Sequence, residues 1–203
     1  ILTDEHAIAR LGEKVDQTKI IKEEAIERAV DILKNYKEIC KKFKVSSIKA
    51  VATSAVRDCD NKNEVVEKLS EAIGTKIEVI TGDEEATLSF KGTIESGKST
   101  TVLDIGGGST EIITGINGQI QFKKSVQIGA VRITEKLFTS HPPSLIEIER
   151  AKEFINQEIT KFCNNIVLGE LYSVAGTPTT LAAIVQNLKE YDKRIASMWI
   201  YNP

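Results

Sequence analysis

Cysteine is scarce in this chain: three residues, Cys40, Cys59 and Cys163, with no CxxC pair among them. An odd, scattered set gives no disulfide frame and no zinc site; it fits reduced cytosolic thiols used as core filler. An excess of basic residues is also missing. The formal net charge is −2, so no cationic footprint points to nucleic acid. No apolar run approaches the length of a bilayer span. No secretory leader is visible in these residues: they open on Ile1 rather than Met, and charges begin at Asp4, as expected of a chain that continues upstream. Internal repeats and low-complexity tracts are lacking too. What is present is a 203-residue sequence, 41% hydrophobic, which can build one large domain or two small ones, each with its own core.

The richest stretch is TVLDIGGGSTEIIT, residues 101–114. Residues 102–105 read as a buried strand interrupted by Asp104. Gly106, Gly107 and Gly108 follow, then Ser109, Thr110 and Glu111. Glycines this dense let the backbone enter conformations closed to other residues and let a ligand approach the main chain. Successive N–H groups in such a turn form an anion-binding concavity. Two acids beside a phosphate cradle would repel the anion unless a cation lies between, so Asp104 and Glu111 suggest bound Mg2+. Similar turns open dinucleotide-binding and methyl-transfer folds, but there a helix follows. Here residues 111–116 are β-branched, Asn117-Gly118 is a strong hairpin signal, and residues 119–126 alternate as a half-buried strand.

Upstream, apolar residues at helical spacing (Ile21, Ala25, Ile26, Ala29, Val30, Leu33, Tyr36) predict a helix over 20–43, after an irregular opening. Residues 47–52 read as a strand that runs into Thr53, Ser54 and Arg57, at the end where α/β sheets bind ligands. Arg57 is either a phosphate fork or a surface arginine. A helix over 61–73 and a strand over 76–80 follow. Asp83, Glu84 and Glu85 then open a helix. They are either dipole-favoured first-turn acids or the source of a general base for water. Residues 97–100 read as a linker. Beyond the hairpin come a helix from Gly129 to Phe138, a long helix over 144–163 with Leu145 and Phe154 among its core residues, and a strand over 171–175. Gly176 and Thr177 form a second small-residue turn, with Pro178 where a helix begins.

Five segments in this order resemble the exopolyphosphatase and guanosine pentaphosphate phosphohydrolase (Ppx/GppA) family: RLGE at 10–13, ATSAVR at 52–57, TGDEEA at 81–86, LDIGGGSTE at 103–111 and AGT at 175–177. The resemblance covers roughly residues 8–191. It implies an α/β fold of the actin-like superfamily, two ribonuclease-H-like domains around a cleft, with the N-terminal strands of the first domain missing. Residues 1–98 would be the partial first domain, and residues 99–203 the second, carrying the glycine-rich loop. The implied activity is acid-anhydride hydrolysis, releasing the terminal phosphate of inorganic polyphosphate, of guanosine pentaphosphate, or of both, in the cytoplasm. A homodimer is compatible with the resemblance; nucleic-acid and membrane partners are not expected.

By the same resemblance, Glu85 matches the family's catalytic base, with Glu84 the neighbour most easily confused with it. Asp104 matches the acid that holds Mg2+, and Glu111 a second acid serving metal or water. Gly106, Gly107, Gly108 and Ser109 match backbone donors to phosphate oxygens. Ser54 and Arg57 match a segment lining the cleft, and Gly176 and Thr177 the second phosphate-side turn. The family's usual first phosphate loop, of Asp-x-Gly-Ser-Asn-Ser type, does not occur in these residues, and the family pattern is expected to lapse after Tyr191. Weak activity, or a catalytically silent module that binds polyphosphate or a guanine alarmone, is therefore the alternative expectation.

Overall fold

The computed structural model describes residues 1–93, 97–163, 166 and 168–196. Contacts divide the chain into two units, Ile1–Thr81 and Gly82–Pro203. The first holds α1 (Val15–Thr18), α2 (Glu23–Lys42), β1 (Ala50–Ala52), α3 (Ser54–Arg57), α4 (Lys62–Ile73) and β2 (Ile77–Val79). The second holds α5 (Gly82–Thr93), β3 (Ser99–Ile105), β4 (Thr110–Ile116), β5 (Gln119–Val126), α6 (Ala130–Leu137), α7 (Leu145–Cys163), β6 (Glu170–Val174), α8 (Gly176–Val185) and α9 (Lys193–Ala196).

In the first unit, β1 and β2 pair in parallel. The apolar stripe of α2 enters the core with Val56, Val65, Leu69, Ile73 and Ile77; Val30, Leu33 and Tyr36 pack at its edge. This is the stripe that the helical spacing predicts. Asn61 ties the start of α4 to Ile21: its Oδ1 accepts the Ile21 N–H at 3.0 Å and its Nδ2 donates to the Ile21 carbonyl at 2.9 Å. Gly74, at φ 80°, ends α4 in the left-handed conformation that only glycine adopts cheaply.

The second unit is built on a sheet of order β5-β4-β3-β6. β4 runs antiparallel to β3 and to β5, whereas β6 runs parallel to β3. Asn117 and Gly118 have φ of 53° and 79°, the pair of positive values that a two-residue type I′ hairpin requires. On one sheet face, Ala86 and Phe90 of α5 pack against Val102 and Ile113. A second cluster joins Val126, Ile128 and Ile133 to Ala151, with Phe154, Ile155, Ile159 and Phe162 of α7 against it.

Three expectations change. The supposed linker at 97–100 already contains strand: β3 starts at Ser99, and Thr100 is buried. The contacts divide the chain at Thr81/Gly82 and not at 98/99, because α5 contributes its apolar face to the second sheet. Leu145 is 81% exposed; it is only the first residue of α7, ahead of the turns that reach the core. The start of α7 carries a reciprocal cap that the sequence reading passed over. The Ser144 N–H donates to Glu147 Oε2 at 2.7 Å, and the Glu147 N–H to Ser144 Oγ at 3.3 Å. Cys59 is buried and Cys40 half-buried, both as free thiols; the Cys163 side chain and residues 197–203 lie outside the described residues. Among the described residues, no helix is long and apolar enough to cross a membrane.

Candidate active site

The glycine turn joins β3 to β4. Its Gly106 N–H donates to the Ser109 carbonyl at 3.0 Å, and Ile105 pairs with Thr110 at its base. The sequence suggested left-handed glycines here, but Gly106, Gly107 and Gly108 all lack positive φ. A Cβ on Gly106 would lie 3.3 Å from Ser109 O, and one on Gly107 3.3 Å from Val131 Cγ2; the closest approach is at Gly129. The chain enters α6 directly over the turn, and a Cβ on Gly129 would meet Gly107 O at 2.3 Å and Gly108 N at 2.5 Å.

The first turn of α6 then takes up the carbonyls of the glycine turn. The Ala130 N–H donates to Gly106 O at 3.0 Å, and those of Val131 and Arg132 to Gly107 O at 3.0 and 3.1 Å. Arg132 Nε donates to Gly108 O at 2.7 Å. The free donors of a helix N-terminus thus orient the turn. Among the described residues, no protein acceptor takes the N–H of Gly107 or Gly108.

Strand register aligns the acids. Asp104 on β3 pairs with Glu111 on β4, and Glu111 pairs with Ser125 on β5. Cross-strand partners share a face, so the three form a row beside the glycine turn. Glu111 is 1% exposed, and its Oε1 accepts from Ser125 Oγ at 2.7 Å. Burial pushes the Glu111 carboxyl above its ordinary value, and the charges of Glu85 and Asp104 add to the rise against the Ser125 hydrogen bond. Ser109, expected to offer phosphate its main-chain N–H, is buried at the end of the turn.

Helix α5 lies over this row. Glu85 is half-buried, whereas Glu84 is exposed, which separates the two residues that the sequence could not. One turn further on, Ser89 Oγ donates to Asp104 Oδ2. Lys123, on the same face of β5, holds the Asp83 carboxylate at 3.3 Å and the Asp83 carbonyl at 3.4 Å. At the same end of the sheet, Val174 pairs with Asp104 and the chain passes through Ala175 into α8. Gly176 and Thr177 are exposed there. Ala175 has φ 74° and ψ −172°, a strained conformation of the kind that gathers at functional sites.

The second unit therefore brings together Glu85, Asp104, Glu111 and the glycine turn, with Gly176 and Thr177 at the same sheet end. Ser54 and Arg57 belong to the first unit. Ser54 is buried as the first residue of α3, and Arg57 is half-buried, its Nη1 donating to the Ile80 carbonyl at 2.8 Å, past the end of β2. Sequence reasoning missed Ser89, Ser125, Gly129 and Arg132. Ser89 could have been found by its i,i+4 spacing from Glu85; the others meet their partners only through the fold.

A glycine turn leading straight into a second strand, with no helix after Gly108, rules out the dinucleotide-binding and methyl-transfer readings and defines an α/β protein with a glycine-rich hairpin turn. The chain matches the Ppx/GppA phosphatase family over residues 1–199 and belongs to that family. The match extends past Tyr191, where the pattern was expected to lapse. The chain is 38% identical over 196 residues to the bifunctional 3-dehydroquinate synthase/phosphatase of Fusobacterium nucleatum, covering 91% of this chain and 30% of that protein. It is 36% identical over 201 residues to exopolyphosphatase 2 of Mycobacterium tuberculosis, covering 93% and 62%. A crystal structure of an exopolyphosphatase-like protein aligns with a TM-score of 0.85 at 33% identity, over 91% of this chain and 60% of that one. The chain thus spans less than two thirds of the length of these relatives.

Proposed function

We propose that this chain forms the catalytic part of a Mg2+-dependent phosphohydrolase that releases the terminal phosphate of inorganic polyphosphate, of guanosine pentaphosphate, or of both. The observation that carries the reading is the in-register pair Asp104 and Glu111, whose buried member feels the charge of Glu85, beside a turn whose Gly107 and Gly108 N–H groups have no protein acceptor among the described residues. The family and the exopolyphosphatase among the relatives support the substrate class.

In this reading, Gly107 and Gly108 hold terminal phosphate oxygens through their N–H groups. Gly176 and Thr177 offer a second contact at the same sheet end. Glu85 orients the attacking water and takes its proton. Phosphoryl transfer asks for little more than positioning and charge neutralisation. Among the described residues, no group of three or more potential ligands could hold a metal ion by itself. Mg2+ needs no such cage: it keeps waters and binds through one or two carboxylates plus substrate phosphates, which Asp104 and Glu111 fit. When bound it would neutralise phosphate charge. A cytoplasmic location is supported by the free thiols Cys40 and Cys59.

The test is Glu85→Gln in the full-length protein, with phosphate release measured on polyphosphate and on guanosine pentaphosphate. Loss of a general base lowers turnover roughly 100- to 10,000-fold; a change under about threefold removes Glu85 from the role. Chelation should abolish release and added Mg2+ restore it. Binding of either substrate without turnover in the parent protein supports the silent-module reading instead.

A further inference from the structure

Ser125 belongs to none of the motifs that the sequence singled out, yet the fold places it against two parts of the site at once. On one side its Oγ donates to Glu111 Oε1 at 2.7 Å. On the other lies Gly82, the first residue of α5 and three residues before Glu85. A Cβ on Gly82 would stand 2.6 Å from Ser125 Oγ and 2.7 Å from Ser125 Cβ, so α5 can start here only because residue 82 has no side chain.

We propose that Ser125 is a positioning residue for this site: its hydroxyl fixes the rotation of the Glu111 carboxylate, and the bare Gly82 backbone keeps that hydroxyl in place. The inference rests on the phosphohydrolase reading for its effect on turnover, and on geometry alone for its effect on Glu111. A carboxylate that is 1% exposed has no water to replace a lost donor, so removing the hydroxyl leaves an acceptor unsatisfied and free to turn. Supporting hydrogen bonds of this kind change metal affinity or activity by about 10- to 100-fold when removed. The same contact links the start of the helix bearing Glu85 to the strand row bearing Glu111. A shift of Ser125 would therefore disturb the spacing of the two acids without touching either.

The experiment combines Ser125→Ala, Gly82→Ala, Ser125→Gly and the Gly82→Ala/Ser125→Gly double variant in the full-length protein. Tripolyphosphate is the probe, and crystal structures of the parent and of Ser125→Ala provide a readout independent of activity. Ser125→Ala should rotate or split the Glu111 carboxylate and lower kcat about tenfold or more, with KM for tripolyphosphate changed less than about twofold. Gly82→Ala should reproduce that fall alone, yet add nothing in the Ser125→Gly background, where the atoms it would strike are gone. The proposal is overturned if Glu111 keeps its position in Ser125→Ala, if kcat stays within about twofold, or if the Gly82→Ala loss is the same in both backgrounds. A parent protein that binds tripolyphosphate without turnover refutes the phosphohydrolase reading, and the Glu111 position in Ser125→Ala then decides this inference by itself.

Discussion

Gly129→Ala should unfold the glycine turn without changing any group proposed to touch substrate. Gly129 lies at φ −136° and ψ 160°, extended backbone that alanine adopts freely, so conformational strain is not the cause. The cause is overlap: the new Cβ would fall 2.3 Å from Gly107 O, 2.4 Å from Gly107 C and 2.5 Å from Gly108 N. Overpacking typically destabilises by about 1–3 kcal/mol when side chains can yield. Here all three atoms are backbone, in a turn bonded to Ala130, Val131 and Arg132. Relief therefore breaks one or more of those bonds, at roughly 1 kcal/mol each. About 3 kcal/mol follows, which for a chain of this size lowers Tm by about 6–12 °C. Gly176→Ala is the matched control, because a Cβ there meets nothing within 4 Å and stability should hold. Thermal melts by circular dichroism compare the two, and calorimetry with tripolyphosphate should show binding weakened in Gly129→Ala. A Tm for Gly129→Ala within about 2 °C of the parent would refute the claim that α6 seats directly on the turn.

Two further predictions concern strain and pH. Ala175→Gly should raise stability by about 1 kcal/mol, since φ 74° strains alanine and not glycine; denaturant melts check it, and a loss of stability would mean that the conformation is not strained. The Glu147 carboxyl is held well below its ordinary value of 4.5 by the Ser140 hydroxyl first, then by the N–H groups of Thr139 and Ser144. An acid depressed on folding adds stability above its unfolded value, and that contribution is lost as pH falls below 4.5 toward the folded value. Glu147→Gln should therefore flatten the drop in Tm between about pH 5 and pH 3; an unchanged slope would show that Glu147 is not a source of acid sensitivity.

Local pattern was enough for much of the architecture. The apolar stripe of α2, the Asn117-Gly118 turn and the strand-glycine-strand order each depend on side-chain periodicity or on φ preferences of single residues, and both are written in neighbouring positions. The acids Asp104 and Glu111 were legible for the same reason, since they flank the glycines in sequence. The unit boundary was not: only the packing of Ala86 and Phe90 of α5 on the sheet shows where that helix belongs.

Register is the clearest case of what the chain alone left open. Counted back from the hairpin pair Ile116 and Gln119, Glu111 would face Lys124, and a buried salt bridge would be the natural reading. The ladder slips by one between Thr114 and Gly115, so Glu111 faces Ser125 instead. At that slip, a Cβ on Gly115 would lie 2.3 Å from Phe90 Cζ, so the ring of α5 presses on the sheet where the extra residue enters β5. A bulge moves every later side chain to the opposite face, and it depends here on a residue 25 positions away along the chain. The sequence by itself determined where the glycines and the charges fall along the chain. Tertiary packing decided which neighbour each acid meets, because that choice is made by contacts between segments and not within them.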